Sequence, residues 1–209
     1  MSLLRIMLRQ CKKPSGRFGR FLARGMNLGH SGLTKWGLGF IDLADDMDAL
    51  DIGGGGGKTV ARLAAVATNG TVVGIDYSPD AVAVAKKKNR ALIDGGRVKI
   101  CQETVSSMSF GDGAFDLVTA VETHYFWPDL RDDLKEVNRV IRQNGQLLIV
   151  GAAYKNKMHE RRNRRFVDAI GMTYLSVEEF RDILEGAGFS EFDALEEKNK
   201  GWLAVKCRK

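Results

Sequence analysis

From residue 49 onward, short apolar runs alternate with stretches in which apolar residues recur every three or four positions. The runs have the length and β-branched content of buried strands, and the stretches between them have the spacing of one buried helix face. Strands are predicted in "ALDI", "TVVGID", "RVKICQ", "FDLVTAV", "QLLIVGAAY", "FSEFDALEE" and "GWLAVKCRK". The pattern predicts an α/β fold with a doubly wound, seven-stranded, mostly parallel sheet that ends in an antiparallel strand pair.

Capping signals set the predicted helix boundaries. They are Thr34 for a helix to about Ala44, Ser78 with Pro79 for a helix to about Ile93, Pro128 for a helix that ends at Gly145, and a capping box of Ser176 and Glu179 before the last helix.

The turn after the first predicted strand consists of five consecutive glycines, residues 53–57. Gly53, Gly55 and Gly57 alternate there, so the backbone can approach a ligand closely and adopt positive φ. A helix follows, and its free N–H groups point toward the same place. The second strand ends in Asp76, where a carboxylate can accept both hydrogen bonds from a ribose diol. Together these features predict a nucleotide-cofactor site at the carboxyl ends of the strands.

The charge of the chain is unevenly distributed. The 209 residues carry a net charge of +6, and residues 1–41 hold eight basic residues and no acidic one. Such an arm is suited to nucleic acid, an acidic membrane surface or an anionic substrate, and a solvated N-terminus is the simpler interpretation. A second basic run, "KNKMHERRNRR", occupies residues 155–165 and allows the same interpretations.

Other classes of protein fit the sequence poorly. No apolar run approaches the roughly 20 residues that span a bilayer, and no secretory signal with a cleavage site is evident. Cys11, Cys101 and Cys207 are far apart and have no metal-ligand spacing. We therefore expect reduced thiols in a cytoplasmic protein, with no bound metal.

Residues 48–209 resemble the class I S-adenosylmethionine-dependent methyltransferases, most closely the small-molecule branch related to quinone and sterol methyltransferases. The resemblance rests on Asp51 before the alternating glycines, on Asp76, and on the segments "FGDGAFDLVTAVET" and "LKEVNRVIRQNGQLLIV". It implies a Rossmann-like fold, S-adenosyl-L-methionine as cofactor and S-adenosyl-L-homocysteine as product. Residues 1–47 are then a basic arm and lid helix, and residues 48–209 are the methyltransferase domain.

The resemblance also implies which residues bind the cofactor. They are Asp51, Gly53, Gly54, Gly55, Gly57, Asp76, Tyr77, Ser78, Thr104, Val105 and Glu122. Asp51 is expected to meet the methionine ammonium, and Asp76 the ribose. Thr104 stands where the family commonly has an Asp that binds the adenine amino group, and its hydroxyl can still accept that bond.

The methyl acceptor is expected in the region of "ETHYFWPDL", residues 122–130, just past the fourth strand. His124 and Tyr125 are the candidate catalytic residues, with His124 as a base near neutral pH. Candidate pocket residues are Trp127 here and Asn27, His30 and Trp36 before the first strand. Packing roles are the alternative for all of them. The basic segment within residues 155–175 is the expected place for a substrate-specificity insertion.

Several alternatives remain open from sequence alone. An RNA or protein methyltransferase would use the basic arm to hold a macromolecule. A nicotinamide-binding enzyme would share the glycine turn, although Asp51 would repel a pyrophosphate there. A non-catalytic methyltransferase-like partner protein is the third. The Asn/Asp-Pro-Pro-aromatic motif of amino-methylating relatives is absent, and the sequence predicts no oligomeric state.

Overall fold

A computed structural model describes residues 31–209 of the chain. The strands are β1 Ala49–Ile52, β2 Val72–Asp76, β3 Val98–Gln102, β4 Phe115–Val121, β5 Ile141–Gly151, β6 Ser190–Glu197 and β7 Trp202–Arg208. The helices are α1 Ser31–Leu38, α2 Lys58–Val66, α3 Pro79–Lys88, α4 Arg90–Asp94, α5 Leu130–Val140, α6 Glu160–Ile170 and α7 Val177–Gly186, with a 3-10 turn at His124–Phe126.

Within the described residues, the strands form one seven-stranded sheet in the order β3-β2-β1-β4-β5-β7-β6. Neighbouring strands among β1 to β5 pair in parallel, whereas β7 runs antiparallel to both β5 and β6. The predicted fold class is confirmed. The chain moves outward from β1 to β3 and then returns to the other side of β1, so a crevice opens between the carboxyl ends of β1 and β4.

Each face of the sheet packs against helices. On one face, α1, α2 and α3 bury residues such as Leu33, Leu63 and Val82 against the sheet. On the other face, Leu134 of α5 and Phe180 of α7 lie in a second apolar cluster. Both faces are therefore closed to water, as a mostly parallel sheet requires.

Two predicted boundaries were wrong at α1. The helix spans Ser31–Leu38 rather than residues 34–44, and Thr34 is a buried residue inside it rather than its N-cap. Gly37 lies against Val150 so closely that a Cβ at Gly37 would come within 2.5 Å of that side chain. This contact holds α1 against β5.

The predicted helix from Ser78 to Ile93 is broken at Asn89. The Asn89 amide donates to the carbonyls of Gly57 and Ala85, at 3.0 and 2.9 Å, so α3 ends and the short α4 begins there. The capping box of Ser176 with Glu179 is confirmed at the start of α7.

The prediction that Pro128 opens α5 and Gly145 ends it was also wrong. Asp129 caps the helix through the N–H groups of Arg131 and Asp132, and the helix stops at Val140. The chain passes directly from α5 into β5. Arg142 of β5 pairs there with Asp48, which precedes β1, and with Asp116 of β4.

Candidate functional site

The glycine turn after β1 is held by main-chain hydrogen bonds to β2. The N–H groups of Gly53 and Gly54 both donate to the Ile75 carbonyl, at 2.8 and 3.0 Å. Gly53, Gly55 and Gly57 have φ of 70°, 51° and 75°, a region that L side chains rarely adopt. A Cβ at Gly53 would lie 2.0 Å from Thr123 Oγ1. The turn therefore brings bare backbone between the ends of β1, β2 and β4.

Asp76 is fixed in position by the backbone on both sides of it. The Gly55 N–H donates to Asp76 Oδ2 at 3.0 Å, and the Ser78 N–H donates to Asp76 Oδ1 at 2.9 Å. Burial raises the pKa of this carboxyl, while the two hydrogen bonds oppose that rise. The bonds leave each oxygen with further accepting capacity toward the cavity.

Asp51 is a buried carboxyl with one unpartnered oxygen. Thr119 Oγ1 donates to Asp51 Oδ1 at 2.7 Å, whereas Oδ2 has no hydrogen-bond partner. Desolvation raises the pKa of Asp51 to about 7, with a smaller contribution from the charge of Asp76. A buried acceptor without a partner is costly. Asp51 is thus suited to a ligand that brings a donor or a positive charge into the cavity.

These groups line a cavity of about 620 Å³ at the carboxyl ends of β1, β2, β3 and β4. We call one part the glycine half: Asp51, Ile52, Gly53, Gly54, Gly55, Gly56, Asp76 and Tyr77. We call the opposite part the aromatic half: Tyr125, Phe126, Trp127, Pro128, Gly171 and Thr173. The predicted residues Thr104, Val105 and Glu122 also line the cavity, together with Glu103 and Thr123.

A hydrogen-bonded group ties the ends of β4 and β5 together beneath the aromatic half. Tyr125 donates its hydroxyl to Glu122 Oε1 at 2.7 Å, and the Ala152 N–H lies within hydrogen-bond distance of both. Glu122 has φ of 58°, an unusual conformation for a residue other than glycine. Burial and the adjacent Glu122 carboxylate raise the pKa of Tyr125 well above its usual range. Tyr125 therefore remains a neutral donor.

The structure does not bring His124 to the cavity. Its imidazole is buried beside Tyr125 and Phe180, at ring-centroid distances of 4.0 and 5.3 Å, and Nδ1 has no partner. It borders instead a separate small gap with Ile149 and Gly151. Desolvation lowers the pKa of His124 to about 3. A histidine in this environment is a poor general base, so the interpretation as a base near neutral pH is corrected.

Other predicted site residues lie away from the cavity. Trp36 packs on Trp202, with ring centroids 5.8 Å apart, so α1 turns it toward β7. Gly57 is the N-cap of α2 and Ser78 is the buried N-cap of α3, so both residues fix helix ends next to the cavity. Asn27 and His30 lie outside the described residues.

Sequence reasoning missed several residues that line the cavity, among them Thr34, Lys58, Gly171 and Thr173. Lys58 follows the glycine turn directly, and its ammonium donates to Ser31 Oγ at 3.0 Å. The Thr173 N–H donates to the Tyr125 carbonyl at 3.0 Å, which joins the segment after α6 to the aromatic half. Gly171 and Thr173 belong to the predicted specificity segment, residues 155–175, but that prediction rested on its arginines.

The family comparison agrees with this geometry. A family described as "Methyltransferase domain" matches residues 50–149, which run from β1 through most of β5. Residues 50–149 thus match a methyltransferase domain, and the chain is similar to proteins named as methyltransferases. This methyltransferase family binds S-adenosylmethionine.

Two curated relatives match different lengths of the chain. "Uncharacterized methyltransferase YodH" of Bacillus subtilis is 28% identical over 151 residues, which cover 72% of this chain and 63% of the relative. The chloroplastic 2-methyl-6-phytyl-1,4-hydroquinone methyltransferase of Arabidopsis thaliana is 26% identical over 189 residues, which cover 87% of this chain and 54% of the relative. The chain thus spans between half and two thirds of these relatives' length.

A solved structure supports the fold over nearly the whole chain. The S-adenosylmethionine-dependent methyltransferase of Aquifex aeolicus superposes with a TM-score of 0.74 at 20% identity and covers 90% of this chain and 97% of its own. At that identity, the likeness bears on the fold.

Proposed function

We propose that this chain transfers a methyl group from S-adenosylmethionine to a small-molecule acceptor in the cavity. One observation carries the proposal. The Asp76 carboxylate is held by the N–H groups of Gly55 and Ser78 at the edge of a cavity that positive-φ glycines line. A carboxylate in this position is what a ribose diol requires.

The residues of the glycine half fit the parts of the cofactor. Asp76 would accept the ribose hydroxyls, and the loop of Thr104 and Val105 would contact the adenine. The unpartnered Oδ2 of Asp51 would accept from the methionine ammonium. This pairing would relieve the cost of the buried carboxyl, because a nearby positive charge favours its ionised form.

The aromatic half would receive the acceptor. Bound S-adenosylmethionine supplies a methyl group already activated on a sulfonium, so the protein must align the acceptor within about 3–3.5 Å and exclude water. Tyr125, Phe126 and Trp127 provide apolar walls that exclude water, and their ring faces are favourable to a nearby cation. No histidine lines the cavity among the described residues, so any proton that the acceptor loses would go to Glu122 or to water.

Calorimetry with S-adenosylmethionine and S-adenosylhomocysteine tests the proposal. We expect both to bind, and Asp76→Ala to weaken binding by about 1.5–3 kcal/mol through loss of charge-assisted hydrogen bonds. Asp94→Ala is the control, because Asp94 is exposed on α4, where it pairs with Arg90. No binding by the unaltered chain, or binding of NAD instead, would reject the proposal.

A small acceptor is favoured over a macromolecule by the aromatic walls of the cavity and by the hydroquinone named in the Arabidopsis relative. The measurement is transfer of a labelled methyl group from the cofactor to a panel of phenols and hydroquinones, with RNA and protein as the contrasting acceptors. Label appearing only in RNA or protein would contradict this part of the proposal. The cytoplasmic location stays a prediction.

A further inference from the structure

The segment that leads into α6 and α6 itself form an exposed basic surface beside the cavity. We define the α6 surface as Lys157, Met158, Arg161, Arg162, Arg165 and Phe166. Residues 155–170 contain six basic and two acidic side chains. Asn163 is the buried residue of the helix, so most of α6 faces solvent.

Carboxylates neutralise only part of this charge. Lys155 pairs with Glu179 and Arg164 pairs with Glu160, at 2.6 and 2.7 Å. Lys157, Arg161 and Arg165 have no ion-pair partner within residues 31–209. Arg161 and Arg165 are four residues apart and therefore project from the same side of the helix. The α6 surface thus presents cations that are available to an anionic partner.

Large apolar side chains lie among these cations. Met158 is 65% exposed and Phe166 is 42% exposed, although most large apolar residues within positions 31–209 are buried. Phe166 follows Arg162 by four residues, so the two side chains are neighbours on the surface of the helix. An exposed mixture of Arg, Met and Phe on one helix is the composition of a helix that lies in a lipid interface.

The position of α6 links this surface to the cavity. Its last residue, Ile170, is followed by Gly171, which lines the cavity, and then by Thr173, which bonds to Tyr125. We propose that the α6 surface docks on an anionic lipid bilayer, with the arginines at the headgroups and Met158 and Phe166 inserted between them. This docking is a property of the surface and does not depend on methyl transfer. No helix in the described part of the chain is long and apolar enough to cross a membrane, so the contact would be peripheral.

A nucleic acid is the alternative partner for the arginines. Phosphates alone would give the apolar side chains nothing to bury, whereas a bilayer satisfies the arginines and the apolar residues together. The two partners therefore differ in how strongly binding depends on Phe166 and Met158.

Co-sedimentation with phosphatidylcholine vesicles, with and without phosphatidylglycerol, tests the proposal on the full chain without cofactor. We expect binding only to the anionic vesicles, and it should weaken as salt is added. Arg161→Glu with Arg165→Glu should reduce the partition coefficient about tenfold or more, because each cation near an anionic surface contributes measurably. Lys87→Glu with Lys88→Glu is the matched control, since these exposed residues of α3 give the same charge change on a different part of the surface.

A second pair of variants separates insertion from charge. Met158→Ser with Phe166→Ser keeps the charge of the α6 surface. It should still lower vesicle binding about fivefold, because both side chains enter the lipid interface in the proposed contact. Circular dichroism of every variant verifies that it folds. Any of three results would overturn the proposal: no binding of the unaltered chain to anionic vesicles, an equal loss in the α3 control, or binding of a short RNA that needs Arg161 and Arg165 but not Phe166.

Discussion

The two halves of the cavity are built in different ways. The glycine half is built from the adjacent strands β1 and β2 and the turn between β1 and α2, and main-chain N–H groups hold its Asp76 carboxylate. The aromatic half brings together two segments about 45 residues apart in sequence, and a hydrogen bond from Thr173 to Tyr125 joins them. The difference teaches that, in the proposed function, cofactor recognition would rest on backbone geometry and acceptor recognition on the packing of two distant segments, so each should be changeable without the other.

Each half has a buried ionisable group with a shifted pKa, and the two shifts give the free energy of unfolding opposite dependences on pH. Under the aromatic half, burial keeps His124 neutral in the folded chain, and in the glycine half burial favours the protonated form of Asp51. These two groups give the predictions with the largest expected effect.

His124 should destabilise the fold at acidic pH. Its pKa is 6.5 in the unfolded chain and about 3 in the folded one, so below 6.5 the unfolded state binds the extra proton. The free energy of unfolding should fall as pH drops from 6.5 toward 3, by up to about 5 kcal/mol. Urea unfolding of His124→Gln should lack this fall. An unchanged pH dependence in that variant would show that His124 is solvated.

Asp51 should act in the opposite direction. Its pKa rises from 3.8 in the unfolded chain to about 7 in the folded one, so between these values the folded state holds the extra proton. Its contribution to the free energy of unfolding should decrease as pH rises from 4 to 7, by up to about 4 kcal/mol. Asp51→Asn should remove that decrease and gain stability over the unaltered chain at pH 8. If Asp51→Asn differs from the unaltered chain by the same free energy of unfolding at pH 5 and at pH 8, the raised pKa of Asp51 is contradicted.

Gly53→Ala tests the backbone geometry of the glycine half. The new Cβ would meet Thr123 Oγ1 at 2.0 Å and would also force an L residue into φ of 70°. We expect a loss of about 2–4 kcal/mol in the free energy of unfolding and at least a tenfold loss of affinity for S-adenosylhomocysteine.

Gly96→Ala is the control for Gly53→Ala. Gly96 has φ of 75°, but a Cβ there would meet nothing within 4 Å. The Gly96→Ala variant should therefore lose about 1–2 kcal/mol in the free energy of unfolding, which is the cost of an L residue at positive φ. It should keep its affinity for S-adenosylhomocysteine. If the two variants bind and unfold alike, the contact with Thr123 has no importance for the site.

The sequence predicted the residues of the glycine half better than those of the aromatic half, because the two halves are built in different ways. The glycine turn, Asp51 and Asp76 belong to one βαβ unit, where the strand period and a local motif fix the geometry. All three line the cavity. By contrast, His124 and Tyr125 are neighbours in sequence, yet only Tyr125 lines the cavity, because a 3-10 turn sends their side chains in different directions. Thr34 and Thr173 reach the cavity through tertiary packing, which no local pattern reports.

Tyr125→Phe is the smallest change and the most direct test of whether the halves are separate. It removes the hydroxyl that donates to Glu122 and lies near the Ala152 N–H, while the ring that walls the aromatic half remains. Loss of this bond should lower the free energy of unfolding by about 1–2 kcal/mol. Affinity for S-adenosylhomocysteine, measured by calorimetry, should change by less than about threefold, since no hydrogen bond of Asp51 or Asp76 involves Tyr125. A tenfold loss of affinity would mean that the Glu122–Tyr125 pair also shapes the glycine half, and the two halves would then have to be treated as one site.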